Sequence, residues 1–132
     1  MSSSNKKLRI LLAEDNIALG ELFKEYLSLE GHDAILFKDG ASVLKFLKLE
    51  RGKANFDYAF IDFNMPQMKG DEVIEKIFDE HSSLFRKVIL FTSMLPTDPE
   101  ILNILTKMRG NPRFIYMLKS LPNLQHFLAD AF

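Results

Sequence analysis

Five short apolar runs, each followed by a longer stretch with helical spacing, constrain this chain more than any other feature. The runs are residues 8–13, 34–37, 58–61, 88–91 and 114–118. After each run the apolar period changes. Leu19, Leu22, Phe23, Tyr26 and Leu27 make one helical stripe, and Val43, Leu44, Phe46 and Leu47 a second. Val73, Ile74, Ile77 and Phe78 form the third, Ile101, Ile104, Leu105 and Met108 the fourth, and Leu121, Leu124, Phe127 and Leu128 the fifth. Strands that are apolar without alternation are those covered on both faces. Five strand–helix pairs in strict alternation therefore predict an α/β fold, a doubly wound five-stranded parallel sheet with helices on both sides. At 132 residues, 47% of them hydrophobic and 12 of them Phe, the chain can fill such a core.

The punctuation agrees with these boundaries. Gly31 and Gly110 stand where the first and fourth helices want a left-handed C-terminal cap. Asp98-Pro99 reads as an N-cap followed by proline in the first turn, and Gly70-Asp71 starts the third helix. Residues 1–7 are polar and read as a flexible lead-in, with residues 8–132 forming one domain.

Composition removes several functions. Lys plus Arg number 17 against 18 Asp plus Glu, a net charge of −1, which argues against direct nucleic-acid binding or attraction to an anionic membrane. With no Cys there are no disulfides, thiolate nucleophiles or Cys-based metal sites. The longest apolar run is five residues, too short for membrane insertion, and the N-terminus lacks the apolar stretch of a signal peptide. A cytoplasmic location is expected.

The polar residues that matter fall at the ends of the runs. The first run ends in Glu14-Asp15, the third in Asp62, the fourth in Thr92-Ser93 and the fifth in Lys119. In an open parallel sheet the C-terminal strand ends lie together and ligands bind outside them. The second run contributes no such group, which fits an edge position and the strand order 2-1-3-4-5. Singly, each residue has a simpler role: Asp15 as a helix cap, Asp62 and Thr92-Ser93 as turn formers, Lys119 as a solvated lysine. Together they bring three carboxylates, a hydroxyl and an ammonium to one patch. Clustered carboxylates repel unless a cation sits among them, and an all-oxygen donor set suits Mg²⁺. A carboxylate beside such an ion can act as nucleophile toward phosphorus, giving an aspartyl phosphate.

These residues resemble the receiver domain of two-component response regulators, a CheY-like, flavodoxin-like (βα)5 fold. The resemblance rests on Ile10-Leu11-Leu12-Ala13-Glu14-Asp15-Asn16, on Leu29-Glu30-Gly31-His32, and on the stretch from Phe56 to Gly70 with its Asp62-Phe63-Asn64-Met65-Pro66-Gln67-Met68-Lys69-Gly70 motif. Val88-Ile89-Leu90-Phe91-Thr92-Ser93 and Tyr116-Met117-Leu118-Lys119 complete it. The resemblance implies that Asp62 is the phosphoacceptor, supplied by a phosphohistidine on a sensor histidine kinase or histidine phosphotransfer protein. It implies Mg²⁺, with Mn²⁺ as a substitute, held by Glu14, Asp15, Asp62 and the Asn64 backbone carbonyl. Thr92 and Lys119 would bind phosphoryl oxygens, and Tyr116 would be the switch aromatic. A domain of this kind is not an enzyme beyond its own phosphorylation and dephosphorylation. Without an output domain it would act as a single-domain response regulator, monomeric or weakly dimeric, through a downstream protein partner.

Three departures from the family pattern stand out. Ser120 follows Lys119 where proline with a cis bond is usual, so a trans or a strained cis bond is expected. The stretch from Gly110 to Ile115 is longer and more apolar than usual. Met94, two residues after Thr92, can influence water access to a phosphoryl group. These keep open an alternative, a pseudo-receiver that binds proteins constitutively. A dehalogenase-type phosphatase would want a second Asp at position 64, where Asn stands, and a flavin site would want a phosphate-binding loop in place of Glu14-Asp15-Asn16. Ile17 and Met94-Leu95 are candidate exposed apolar contacts, while His32, His81 and His126 read as structural or solvated.

Overall fold

Each apolar run becomes a strand and each stripe a helix. The structure, a computed structural model, describes residues 6–50 and 55–130. Its elements are β1 (Arg9–Ala13), α1 (Ile17–Leu29), β2 (Asp33–Phe37), α2 (Gly40–Glu50), β3 (Phe56–Ile61), α3 (Gly70–Glu80), β4 (Phe85–Thr92), α4 (Pro99–Lys107), β5 (Phe114–Leu118) and α5 (Leu121–Ala129). A single 3-10 turn, Ser82–Leu84, joins α3 to β4. The sheet is parallel throughout, in the order β2-β1-β3-β4-β5. Of the expected lead-in, residues 1–5 lie outside the described residues, and Lys6 and Lys7 are exposed.

Alternate residues of each strand feed opposite core layers, as the pleat requires. Leu11, Ala59, Ile61, Val88 and Leu90 pack with α2, α3 and α4. Ile10, Leu12, Phe60, Ile89 and Phe91 pack with Phe23 and Leu27 of α1 and Leu124 and Leu128 of α5. On that second side aromatic rings tie α1 to α5 through the sheet: Phe23 lies 5.2 Å from Phe91, Phe91 5.3 Å from Phe60, and Phe60 5.8 Å from Phe127. Coverage of both faces holds for the three central strands. The edge strands β2 and β5 are only partly buried.

The boundaries differ from expectation mainly at β4, which starts at Phe85 rather than Val88. Arg86 and Lys87 interrupt the apolar run, but their ends reach partners at the rim: Arg86 lies 3.5 Å from Asp57 and Lys87 donates to the Pro112 carbonyl at 2.7 Å. Long cationic side chains can thus occupy a strand while the heads stay polar. Gly31 and Gly110 take φ of 89° and 84°, the left-handed turns expected of them. Asp98 caps α4 by accepting from the Glu100 amide, and Asn16, not Asp15, caps α1 by accepting from the Leu19 amide.

His32 is structural, as expected, and gives the fold a pH dependence. It is buried, and its Nδ1 accepts the Leu8 amide at 3.0 Å, fixing the start of β1. Burial lowers its pKa, and Glu30 and Asp57 oppose that only partly. A folded-state pKa below the unfolded one means stability is intact above about pH 6.5 and is lost as pH falls further. His32→Asn, which keeps an acceptor without the titration, should lose less stability than wild type between pH 7.5 and 5.5 in urea unfolding. Parallel losses would contradict this assignment.

Candidate phosphoryl-acceptor site

Four strand ends build the site. Glu14 and Asp15 follow β1, Asp62 follows β3, Thr92 ends β4 and Lys119 follows β5. Backbone bonds fix those ends to one another: the Glu14 amide donates to the Phe37 carbonyl, the Asp62 amide to Ala13 and the Lys119 amide to Thr92. Glu14 and Asp62 are buried and Asp15 is exposed, and one oxygen from each lies within 4.8 Å of the others. Lys119 reaches into this group, with Nζ 2.8 Å from Glu14 Oε1 and 3.2 Å from Asp62 Oδ2. The remaining oxygens are held by backbone: Glu14 Oε2 accepts the Asn16 amide at 3.1 Å and Asp62 Oδ1 the Phe63 amide at 2.8 Å. A cleft of about 460 Å³ opens over the cluster.

The electrostatics follow from this packing. Burial, then the charge of Glu14, pushes the Asp62 carboxyl up to about 6, and Lys119 and the Phe63 amide only partly offset that. Burial works against the Lys119 ammonium, but its bonds to Glu14 and Asp62 outweigh burial and raise its pKa. Three carboxylates against one ammonium leave the cluster short of positive charge. An all-oxygen set of this kind, with one member open to solvent, fits a hard divalent cation.

Behind the carboxylates, the loop from Phe63 to Gly70 is tightly drawn. Met68 donates to the Pro66 carbonyl at 2.7 Å around Gln67, whose φ of 68° makes a γ-turn. The loop closes where the Gly70 amide donates to the Phe63 carbonyl at 2.8 Å. A Cβ on Gly70 would stand 2.1 Å from the Asp62 carbonyl oxygen, so only glycine lets α3 start this close to the end of β3.

A second set of contacts leads outward from Thr92. Its Oγ1 accepts the Met94 amide at 3.2 Å, which leaves its own proton to donate. Met94 also accepts the Tyr116 hydroxyl on its carbonyl, and its sulfur lies 3.3 Å from Asn64 Nδ2. Tyr116 is half-buried against the α4 side of the core. Thr92, Met94, Asn64 and Tyr116 thus form one connected group beside the carboxylates.

All of the residues expected at the site lie at this end of the sheet. Glu14, Asp15, Asp62, Asn64 and Lys119 line the cleft, and Thr92 and Tyr116 lie behind it through Met94. The Lys119–Ser120 bond is trans. Ile17 and Leu95 are more than half exposed, as expected, whereas Met94 is half-buried and packs against the core on the α4 side, so it is not the exposed contact expected of it. Sequence reading did not anticipate the Gln67 turn or the role of Asn123, which donates to the Leu118 carbonyl at 2.7 Å.

Among known proteins, a family model for the response regulator receiver domain matches residues 10–108. The transcriptional regulatory protein RprY of Bacteroides fragilis is 37% identical over 78 residues, 58% of this chain and 31% of that protein. The response regulator protein PmrA of Pseudomonas aeruginosa is 30% identical over 86 residues, 65% of this chain and 36% of its own length. The chain thus spans about a third of these relatives. Among solved structures, chemotaxis protein CheY4 of Vibrio cholerae superposes with a TM-score of 0.75 at 21% identity, covering 96% of this chain and all of that one. The response regulator protein TrrA of Thermotoga maritima, solved in complex with Mg²⁺-BeF, gives 0.66 at 25% identity, with 94% and 97% covered. The match over residues 10–108, on a five-stranded sheet of the same order, places this chain in the response regulator receiver domain family.

Proposed function

We propose that this receiver accepts a phosphoryl group on Asp62 from a phosphohistidine of a sensor histidine kinase or histidine phosphotransfer protein, and signals through a protein partner. The observation that carries the reading is the placement of a buried carboxylate, Asp62, between Lys119 at 3.2 Å and two further carboxylates at the sheet's C-terminal edge. Glu14, Asp15, Asp62 and the Asn64 carbonyl would hold Mg²⁺, with Mn²⁺ able to replace it. When bound, the ion supplies positive charge that offsets the phosphoryl oxygens and the acidic cluster. TrrA, solved with Mg²⁺-BeF, offers a parallel on the same fold.

The chain's own groups do the rest. A carboxylate oxygen of Asp62 forms the new bond to phosphorus as the phosphorus–nitrogen bond of the donor breaks, and the leaving imidazole takes up a proton. Lys119 is already aimed at Asp62 Oδ2 and would neutralise one phosphoryl oxygen. Thr92 would turn its hydroxyl proton to another. Because Thr92 also holds the Met94 amide, and Met94 holds Tyr116, that movement would reach the α4–β5–α5 face. Ser120 in place of proline does not displace Lys119 from the acidic cluster, which favours a phosphorylatable receiver over a pseudo-receiver.

Calorimetric titration with Mg²⁺ tests the metal half of this reading. Asp15→Ala removes an exposed ligand without disturbing the α1 cap, which is Asn16. It should weaken Mg²⁺ about tenfold or more and reduce phosphorylation with it. Undiminished affinity would remove Asp15 from the ligand set.

A further inference from the structure

Lys119 is aimed by the turn that follows it, and that turn is held without the usual proline. The Lys119 amide donates to the Thr92 carbonyl at 2.8 Å, which anchors the residue to the end of β4. Beyond it the backbone passes into α5 through a trans bond to Ser120, the N-cap residue, whose φ and ψ of −164° and 155° are extended. Two side chains secure this turn. Ser120 Oγ accepts the Asn123 amide at 3.1 Å, capping α5, and Asn123 Nδ2 donates to the Leu118 carbonyl at 2.7 Å. The second bond runs backward across Lys119, from the first turn of α5 to the last residue of β5. The pair therefore brackets Lys119 from both sides, while its Nζ sits between Glu14 and Asp62.

We infer that Ser120 and Asn123 are positioning residues for phosphoryl acceptance: their paired hydrogen bonds fix the β5–α5 turn so that Lys119 reaches the acceptor carboxylate. The inference rests on the reading of Asp62 as phosphoacceptor and Lys119 as a phosphoryl-oxygen ligand. Its physical basis is that a hydrogen-bonded charge acts only where its donor is held in place. Loss of either bond lets a flexible ammonium spend less time over Asp62. The same ammonium competes with a metal ion for the Glu14 and Asp62 carboxylates. Looser aim should therefore weaken phosphoryl-oxygen binding without weakening the metal, a pattern that general loosening of the site does not produce.

The test compares Ser120→Ala, Asn123→Ala and Ser120→Thr with wild type, measuring Mg²⁺ affinity alone and then beryllofluoride affinity at saturating Mg²⁺, both by calorimetry. Asn123 is exposed, so its truncation leaves the core intact. Both alanine variants should bind beryllofluoride about tenfold more weakly, as expected for the loss of a charge-assisted hydrogen bond. Their Mg²⁺ affinity should be unchanged or tighter, and Ser120→Thr, which keeps the cap, should behave as wild type. Beryllofluoride affinity within twofold of wild type in both alanine variants, or parallel loss of Mg²⁺ and beryllofluoride, would overturn the inference. A wild-type protein that binds Mg²⁺ but no beryllofluoride would instead overturn the acceptor reading on which it rests.

Discussion

Asp62→Asn should abolish phosphorylation and at the same time make the metal-free protein more stable. The asparagine is nearly isosteric, and its Oδ1 can still accept the Phe63 amide that now bonds to Asp62. What disappears is a buried charge set against Glu14, the cause of the raised Asp62 pKa. A rise from 3.8 to about 6 corresponds to about 3 kcal/mol at full strength, and solvent at the mouth of the cleft should reduce this to about 1–2 kcal/mol. The sign is fixed by linkage. Between pH 4 and 6 the native protein binds this proton more tightly than the unfolded chain does, so acidification through that window removes the wild-type deficit. Urea unfolding with a chelator should show the Asp62→Asn variant ahead at pH 7.5 and level with wild type near pH 4. Adding Mg²⁺ should narrow the difference at pH 7.5, because the ion stabilises the form that binds it. A variant less stable than wild type at pH 7.5 would contradict the repulsion described for the cluster.

Gly70→Ala should be the most damaging glycine-to-alanine change among the described residues. Its Cβ would meet backbone just past the end of β3, 2.1 Å from the Asp62 carbonyl oxygen and 2.8 Å from the Phe63 Cα. Neither atom can swing aside as a side chain would, so α3 and the strand end must separate and the Gly70–Phe63 hydrogen bond must stretch. The expected loss is about 3 kcal/mol or more. Because the displaced residue is Asp62, phosphorylation of the remaining folded protein should slow by about a hundredfold. Gly110→Ala is the matching control. Gly110 has φ of 84° with nothing within 4 Å of an added methyl, so it should cost only about 1 kcal/mol and leave phosphorylation unchanged. Denaturant melts and phosphorylation time courses of the two variants separate a steric effect at the site from backbone strain far from it. Equal behaviour would refute the close approach at Gly70.

The strands and most of the site were legible in the sequence, each for its own physical reason. The five runs located the strands because the central ones are buried on both faces, and the polar residues that end them were brought together by parallel topology. That is why Glu14, Asp15, Asp62, Thr92 and Lys119 could be grouped although up to 105 residues separate their hydrogen-bonded members. Arg86 and Lys87 hid the start of β4, since a charged pair breaks an apolar run even where the rim supplies its partners. Gln67 gave no warning of a positive φ, because the loop closure that imposes it depends on Gly70 meeting Phe63. Ser120 and Asn123 stand three apart, a spacing that suits a helix cap. The backward bond to Leu118 depends on the turn angle and is not written in the spacing.

The central claim is that Asp62 takes up a phosphoryl group, and intact mass tests it most directly. Wild type and Asp62→Asn would be incubated with acetyl phosphate, with Mg²⁺ and with chelator. A single phosphoryl adduct is predicted on wild type, one that requires Mg²⁺ and is absent from the Asp62→Asn variant. An adduct that forms equally on that variant, or that ignores the metal, would contradict the claim.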